Sequence, residues 1–423
     1  MLNKILAALD RCGVKNYLIE QRTEETVELF FIRKKLDMRR AKDDTLATVT
    51  VYRDFESDGV AMRGGSDALI FPDMDDAEIE QALHEAYAAA ASVKNPAFRL
   101  YEGEHAPERV MPSTLAEHPL TEDAVRMAEA IFRPDTGEDA FVNSAEVFAE
   151  RSRVRIVSSA GTDVGYLRHR CQGEFVVQCL AGKDVEQYFH FDYDELDADA
   201  LARKAADALN TVRDRARAEK SPAGGTCDVV LSGEHVRTIL SFYLDRANAA
   251  QVYAKYSDYA PGTPVQGETV RGEALNITAM PEAPYSPEGI PMTARPLVRD
   301  GKLCFLHGST RFSRYLDIEP TGVYGRMKLE NGTVPFDELR RGCLYPVSFS
   351  DFQMSSNSGR FGGEIRLAYL FTEDGVEILT GGSINGSLLE KQDDLVFSTE
   401  QYSEAGYQGP FAVKLKGVAV AGC

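Results

Sequence analysis

EVFAERSRVRIVSSAGTDVGYLRHRCQGEFVVQCLAGKDVEQYFHFDY, residues 146–193, alternates apolar and polar side chains over most of its length. A two-residue period is the mark of half-buried strands. Gly161, Gly165, Gly173 and Gly182 fall near the breaks in that alternation, which predicts a meander of antiparallel hairpins. The meander runs into a helical pattern from Ala198 to about Ala218, with Leu201, Ala205, Leu209 and Val212 on one face. Upstream, Thr121 is placed to cap a helix through Phe132, with Glu122 and Asp123 in the first turn, where the helix dipole favours acids. These elements define a central segment over 120–219.

The segment before it, 1–100, mixes helix and strand. MLNKILAALD reads as an amphipathic helix ending at Gly13, without the apolar core of a signal peptide. LIEQRTEETVELFFIRKKLD (18–37) holds the short apolar run Val27–Ile32 and then a charged stretch. TLATVTVYRDFE (45–56) alternates as a strand. Asp75 and Glu78 form an Asp variant of the capping box before a helix carrying Ile79, Leu83, Tyr87 and Ala90. Pro96, Pro107, Pro112 and Pro119 mark the following tract as loop.

On the C-terminal side, KSPAGG (220–225) reads as a linker. Beyond it one strong helix is expected, about 233–250, with Ser232 as its N-cap and Val236, Ile239, Leu240, Tyr243, Leu244 and Ala247 as its apolar stripe. The remainder is short strands. Asp300–Gly301 and Asp374–Gly375 each lie between apolar runs, a hairpin signal. The expected class is therefore α+β: a mixed α/β N-terminal half with an antiparallel meander, then a β-rich antiparallel domain, 226–423, carrying one main helix. At roughly 150 residues per domain, the 423 residues fit two or three domains.

Composition narrows the function classes. Acidic residues outnumber basic ones 66 to 47, a net charge of −19, which repels a phosphate backbone; nucleic acid is not an expected partner. No apolar run reaches the length of a bilayer span, so no membrane association is expected. The seven cysteines (Cys12, Cys171, Cys179, Cys227, Cys304, Cys343 and Cys423) are odd in number, scattered and free of C-x-x-C pairs. That predicts a reduced, cytoplasmic protein.

The chain lacks a G-x-S-x-G elbow, an S-x-x-K pair and the glycine-rich phosphate loops. Zinc hydrolysis needs two imidazoles a helical turn apart with a Glu beside them. His84–Glu85 and Glu234–His235 have no second His at that spacing. His169, Cys171 and Cys179 are the nearest thing to a ligand cluster. With the hairpin turned at Gly173, the two thiols stand about 13 Å apart, so they read as half-buried thiols beside a surface His. SSNSGRFGGE (355–364) reads as a hairpin loop more readily than as an anion nest, and DMDD (73–76) and DYDELDAD (192–199) as acidic helix starts. No metal or cofactor is expected.

The order of segments after the linker carries a resemblance. CDVVLSGEHVRTIL (227–240) is followed by GETVRGEALNIT (267–278), YSPEGIPMTARPLVRDGKLCFLHGSTRFSRYLDIEPTG (285–322), VEILTGGSINGSLLE (376–390) and FAVKLKGVAVAG (411–422). With SAGTDVGYLRHRCQGEFVV (159–177), this series resembles the TldD/PmbA family, known as modulators of DNA gyrase and related to metallopeptidases. The resemblance implies two kinds of subunit. TldD-type subunits carry H-E-x-x-x-H on the helix after the first C-terminal strand, plus a downstream Cys on zinc. TldE/PmbA-type subunits lack these ligands and pair with the first kind in a peptide-degrading or peptide-maturing protease.

Anchored on CDVVLSG, the motif window falls at 241–246, where Ser241 and Arg246 stand at the His positions and Phe242 at the Glu position. The stretch for the downstream Cys is EAGYQGP (404–410), with Tyr407. The resemblance therefore implies a non-metal subunit, with no catalytic residues of its own and with Ser241, Phe242, Arg246 and Tyr407 in a substrate cleft. It would form a homodimer, or a heterodimer with a TldD-type zinc subunit, and supply chamber wall for an extended peptide. The alternatives are a free-standing homodimeric peptide-binding protein and a metal-independent hydrolase. An ordinary amphipathic helix with Arg246 in water is the competing reading of the 241–246 window.

Overall fold

The computed structural model describes residues 1–330, 332–404 and 406–422. The N-terminal part opens with α1 (Leu2–Arg11), which buries Ile5, Ala8 and Leu9 and ends as the chain turns at Gly13, φ +68°. Three strands follow: β1 (Asn16–Ile32), β2 (Lys35–Ser57) and β3 (Val60–Ile70). The β2–β3 turn is Asp58–Gly59, both at positive φ, as a tight hairpin of matching twist requires. The apolar run Val27–Ile32 is only the end of β1, and the charged stretch after it belongs to β2.

Helix α2 (Asp76–Ala90) starts with the full capping box: Asp75 accepts from the Ala77 and Glu78 amides, and Glu78 accepts from the Asp75 amide. Short β4 (Arg109–Val110) precedes α3 (Leu120–Phe132). Thr121 does not cap α3; Pro119 precedes the first turn, and Thr121 lies inside it with Glu122 and Asp123. Asp123 is fully buried rather than solvated, and burial raises its pKa against the pull of Arg126.

The meander is β5 (Ala140–Ser158), β6 (Asp163–Cys179) and β7 (Val185–Tyr193), then α4 (Ala198–Arg217), which Asp197 caps. Gly161 and Gly182 sit at the turns with positive φ. Gly165 and Gly173 do not turn the chain; both lie inside β6. A Cβ at Gly173 would stand 2.4 Å from the Glu146 carbonyl oxygen and 2.7 Å from the Phe191 ring, so this glycine serves a close cross-strand approach. All these strands form one sheet, in the order β3-β2-β1-β5-β6-β4 with β7 also on β6. It draws strands from both 1–100 and 120–219. Helices α1 and α2 cover one end of a face, and α3 and α4 cover the other.

After residues 220–224 comes β8 (Gly225–Ser232), then α5 (Glu234–Arg246) and α6 (Ala249–Tyr253). Ser232 is not the N-cap of α5. Its hydroxyl is 2.8 Å from the Tyr345 hydroxyl, and Gly233, at φ +59°, precedes the helix. The helix also stops short of residue 250, because Asn248 caps the separate α6 by accepting from the Ala250 amide.

A second sheet holds β9 (Ile277–Met280), β10 (Arg295–Arg299), β11 (Lys302–Leu303) and β12 (Arg326–Leu329). A third holds β13 (Leu344–Met354), β14 (Arg360–Thr372), β15 (Gly375–Leu379), β16 (Ser383–Ser387) and β17 (Val396–Phe397). The strands β18 (Gln401–Glu404) and β19 (Tyr407–Pro410) extend the second sheet, and β20 (Ala412–Ala421) and β8 complete the third.

Because β13 pairs with both β8 and β14, the third sheet closes into a ring, β8-β20-β16-β14-β13, which protects its edges. Helix α5 is buried between this ring and the second sheet; Val236, Ile239, Leu240, Tyr243 and Leu244 share one core with strands of both. Asp300–Gly301 turns β10 into β11, both residues at positive φ. In the second hairpin Thr372 pairs with Gly375, so the tip is Glu373–Asp374, one residue earlier than expected. The fold is α+β, with mainly antiparallel strands and a β-rich C-terminal part, as the sequence predicts.

Candidate functional site

A cleft of about 1690 Å³ opens between the two halves of the chain. One wall is β7 and α4. The other is the first turn of α5, β13 and the β18–β19 hairpin. Among the described residues β7 pairs as a strand with β6 alone, and its other edge lies along this space, where Arg215 donates to the Glu186 carbonyl at 3.0 Å. Acidic side chains in the lining outnumber basic ones nine to five.

Chain segments far apart in sequence place the polar groups. Lys204 on α4 reaches Glu404 on β18, Nζ to Oε1 2.5 Å, and the Tyr402 hydroxyl donates to the other carboxylate oxygen at 2.9 Å. Burial, and then the Glu404 charge, push the Tyr402 phenol up, so it stays a neutral donor. Tyr193 is raised for the same two reasons. Asp194 is held between Arg168, at 2.9 Å, and Arg326. Burial alone would raise its pKa, but the two guanidinium groups outweigh that and keep it below the ordinary value.

His235 projects from the first turn of α5 into a wedge between Phe349 and Phe352, ring centroids 4.9 and 5.1 Å away. Its Nδ1 is 3.2 Å from the Ser232 carbonyl oxygen. Burial lowers its pKa against the opposing pull of the Glu234 charge, so burial favours the neutral ring. This set of groups offers neutral donors, fixed charges and an open strand edge, a combination suited to holding a polypeptide.

Of the four residues assigned to a substrate cleft from sequence, Tyr407 alone lines this one, and its hydroxyl is already donated to the Pro410 carbonyl at 3.0 Å. Ser241, Phe242 and Arg246 lie further along α5, outside the lining. Ser241 is half-buried and donates to the Thr238 carbonyl at 2.9 Å. Phe242 is fully buried, packed edge-on to Tyr243 at 5.3 Å. The Arg246 guanidinium lies 5.5 Å from the Phe242 ring centroid and 4.9 Å from that of Tyr259, and donates to Asp258 Oδ1 at 2.5 Å.

Phe242 and Arg246 thus meet each other, not the cleft, and Arg246 is sandwiched rather than solvated. These residues do not fit a divalent metal: an apolar ring occupies the place of a base, and a fixed cation stands beside it. His169, Cys171 and Cys179 lie on one face of the continuous strand β6. The thiols are eight positions apart, about 26 Å, so they share no ligand. His169 and both thiols are buried, so the surface position expected for His169 is corrected. Among the described residues no group of three His, Cys, Asp or Glu is arranged to hold a metal. Six cysteines are free thiols; Cys423 lies outside the described residues.

Sequence reasoning missed Lys204, Glu404, Asp194, Arg326 and Tyr402. No local signal joins them, because they come from strands and helices that meet only in the folded chain. His235 was visible only as half of a failed zinc pair.

An N-terminal sheet backed by helices is joined across a cleft to a closed strand ring with a buried helix. Residues 112–211 match the PmbA/TldA metallopeptidase central domain, and residues 224–422 the PmbA/TldA metallopeptidase C-terminal domain. The chain belongs to the PmbA/TldD family.

Solved structures share the fold. A protein from Thermotoga maritima described as a modulator of a DNA gyrase superposes with TM-score 0.76 at 14% identity, over 99% of each chain. TldE from Thermococcus kodakarensis gives 0.77 at 13% identity, over 99% of this chain and 100% of that one. A protein from Bacteroides thetaiotaomicron that carries the same kind of description gives 0.75 at 15% identity, over 100% of this chain and 99% of that one. No curated protein sequence matches.

Proposed function

We propose that this chain is a non-metal, TldE/PmbA-type subunit of a cytoplasmic peptide-degrading or peptide-maturing assembly. A TldD-type partner supplies the zinc, the hydrolytic water and the base. This chain supplies chamber wall and a surface for an extended peptide. The observation that carries the reading is the cleft, in which the open edge of β7 faces the first turn of α5. Main-chain hydrogen bonds to such an edge bind a peptide with little regard to its sequence. The character of α5 supports the same division of labour: Phe242 packs the core and Arg246 is bound to Asp258, so the helix is structural.

The test is co-expression with a subunit that carries H-E-x-x-x-H, followed by co-purification and a cleavage assay on unstructured peptides. The expected result is a stable complex, activity only in the complex, and weak peptide binding by this chain alone. Failure to associate with the metal-bearing subunit, together with no peptide binding, would sink the proposal.

A further inference from the structure

The cations of the cleft are all spoken for, and half of its carboxylates are not. Lys204, Arg203, Arg326 and Arg366 each stand within 3.9 Å of a carboxylate, those of Glu404, Asp197, Asp194 and Glu364 respectively. Arg215, the remaining cation of the lining, donates to the Glu186 carbonyl at 3.0 Å and to the Gln187 side-chain oxygen at 2.9 Å. Five carboxylates of the same lining have no ion-pair partner among the described residues: Glu186, Glu195, Asp207, Glu234 and Asp351.

What these five do bind is neutral. Glu186 accepts from the Asn143 amide at 2.9 Å, Glu195 from the Thr114 backbone amide at 3.0 Å and Asp351 from the Gln353 amide at 2.5 Å. The side chains of Asp207 and Glu234 accept no hydrogen bond among the described residues. A neutral donor orients a carboxylate without cancelling its charge. All five residues are exposed, so a ligand can reach them. Desolvation raises the Asp207 pKa, and only the Arg203 charge opposes it.

The five are spread over both walls. Glu186 and Glu195 bracket β7 and Asp207 is on α4, whereas Glu234 opens α5 and Asp351 is on β13. They are not gathered for a single ion: among the described residues no group of three His, Cys, Asp or Glu is arranged to hold a metal. A strand laid along the outer edge of β7 would instead pass between the two sets. A cleft lined by one sign of uncancelled charge concentrates ligands of the other sign, and complementary charge selects among them.

We propose that the peptide held in this cleft is cationic, an extended segment rich in Lys or Arg whose side chains are shared among these carboxylates. The inference rests on the peptide-holding role given above and adds the charge of the substrate.

Fluorescence anisotropy on the full-length chain tests it, with three labelled, unstructured peptides of equal length. They differ only in carrying lysine, glutamate or glutamine at alternate positions, and both termini are blocked. The lysine peptide should bind about tenfold more tightly than the glutamine peptide, and the glutamate peptide more weakly than either. The preference should shrink as salt rises. The double variant Asp207→Asn, Glu234→Gln removes two charges that serve no contact within the chain. It should weaken the lysine peptide about fivefold and leave the glutamine peptide unchanged. Binding of all three peptides with equal affinity would overturn the inference while leaving the peptide-holding role in place. A lysine preference that survives intact in the double variant would also overturn it, since the attraction would then belong to the acidic surface as a whole. If no peptide binds, the peptide-holding role falls and this inference falls with it.

Discussion

Lys204 and Glu404 join α4 to the C-terminal sheets across 200 residues of sequence, with Nζ 2.5 Å from Oε1 in the wall of the cleft. The Glu404 side chain is only 7% exposed and the Lys204 side chain 24%. A carboxylate this far from water needs its cation, so removing the lysine leaves a buried charge with one remaining donor, Tyr402. Lys204→Ala should destabilise the chain by about 2 kcal/mol. The double variant with Glu404→Gln should recover part of that loss. Denaturant unfolding of the single and double variants checks both; a single-variant effect near zero would show that the pair is solvated.

Tyr407 provides the contrast within the same cleft. Its ring is buried and its hydroxyl serves the Pro410 carbonyl, so Tyr407→Phe removes one internal hydrogen bond. The expected cost is about 1 kcal/mol, with peptide binding unchanged. Loss of peptide binding with stability retained would instead make the hydroxyl a ligand contact.

His307 should make stability fall on the acid side. The ring is 1% exposed; Nε2 donates to the Leu244 carbonyl at 2.9 Å, and Nδ1 accepts from the Tyr324 amide at 3.2 Å. Both nitrogens are used by the neutral tautomer, and protonation would set a second N–H against the Tyr324 amide. Burial pushes the pKa down to about 4, against the opposing pull of the Leu244 carbonyl. The unfolded ring titrates near 6.5. Between those values the unfolded chain binds more protons, so the contribution is intact above about pH 6.5 and is lost as pH falls toward 4. The total is on the order of 3 kcal/mol. His307→Gln should be less stable at neutral pH but should lose less between pH 6.5 and 4; parallel pH dependences would contradict this.

Much of the fold was legible because periodicity and turn chemistry are local. The capping box at Asp75, the face of α4 from Leu201 to Val212 and the Asp300–Gly301 hairpin each follow from a few neighbouring residues. The errors arose where a residue answers to a distant partner. Gly173 looks like a turn until Phe191 is seen above it, and Ser232 looks like a cap until Tyr345 takes its hydroxyl. The long β2 was hidden because its charged half, Lys35–Asp44, is exposed throughout and shows no alternation of burial. The cleft was illegible for the same reason, since Lys204, Asp194, Arg326 and Glu404 acquire meaning only when the sheets are placed side by side.

The remaining prediction concerns rebuilding a metal site in α5 by Ser241→His, Phe242→Glu and Arg246→His. The family resemblance suggests these positions, but the packing argues against success. Phe242 has no exposed surface, so Phe242→Glu removes a packed ring and leaves a carboxyl group among apolar side chains. Loss of Arg246 also strips Asp258 of its partner and uncovers the Tyr259 face. The triple variant should be destabilised by at least about 4 kcal/mol, most of it from Phe242→Glu alone. It should carry no stoichiometric zinc by elemental analysis. Phe242→Leu, which keeps an apolar side chain, should cost far less. A folded triple variant holding one zinc per chain would show that α5 can rotate a metal-binding face toward solvent, and would overturn the view of this helix as purely structural.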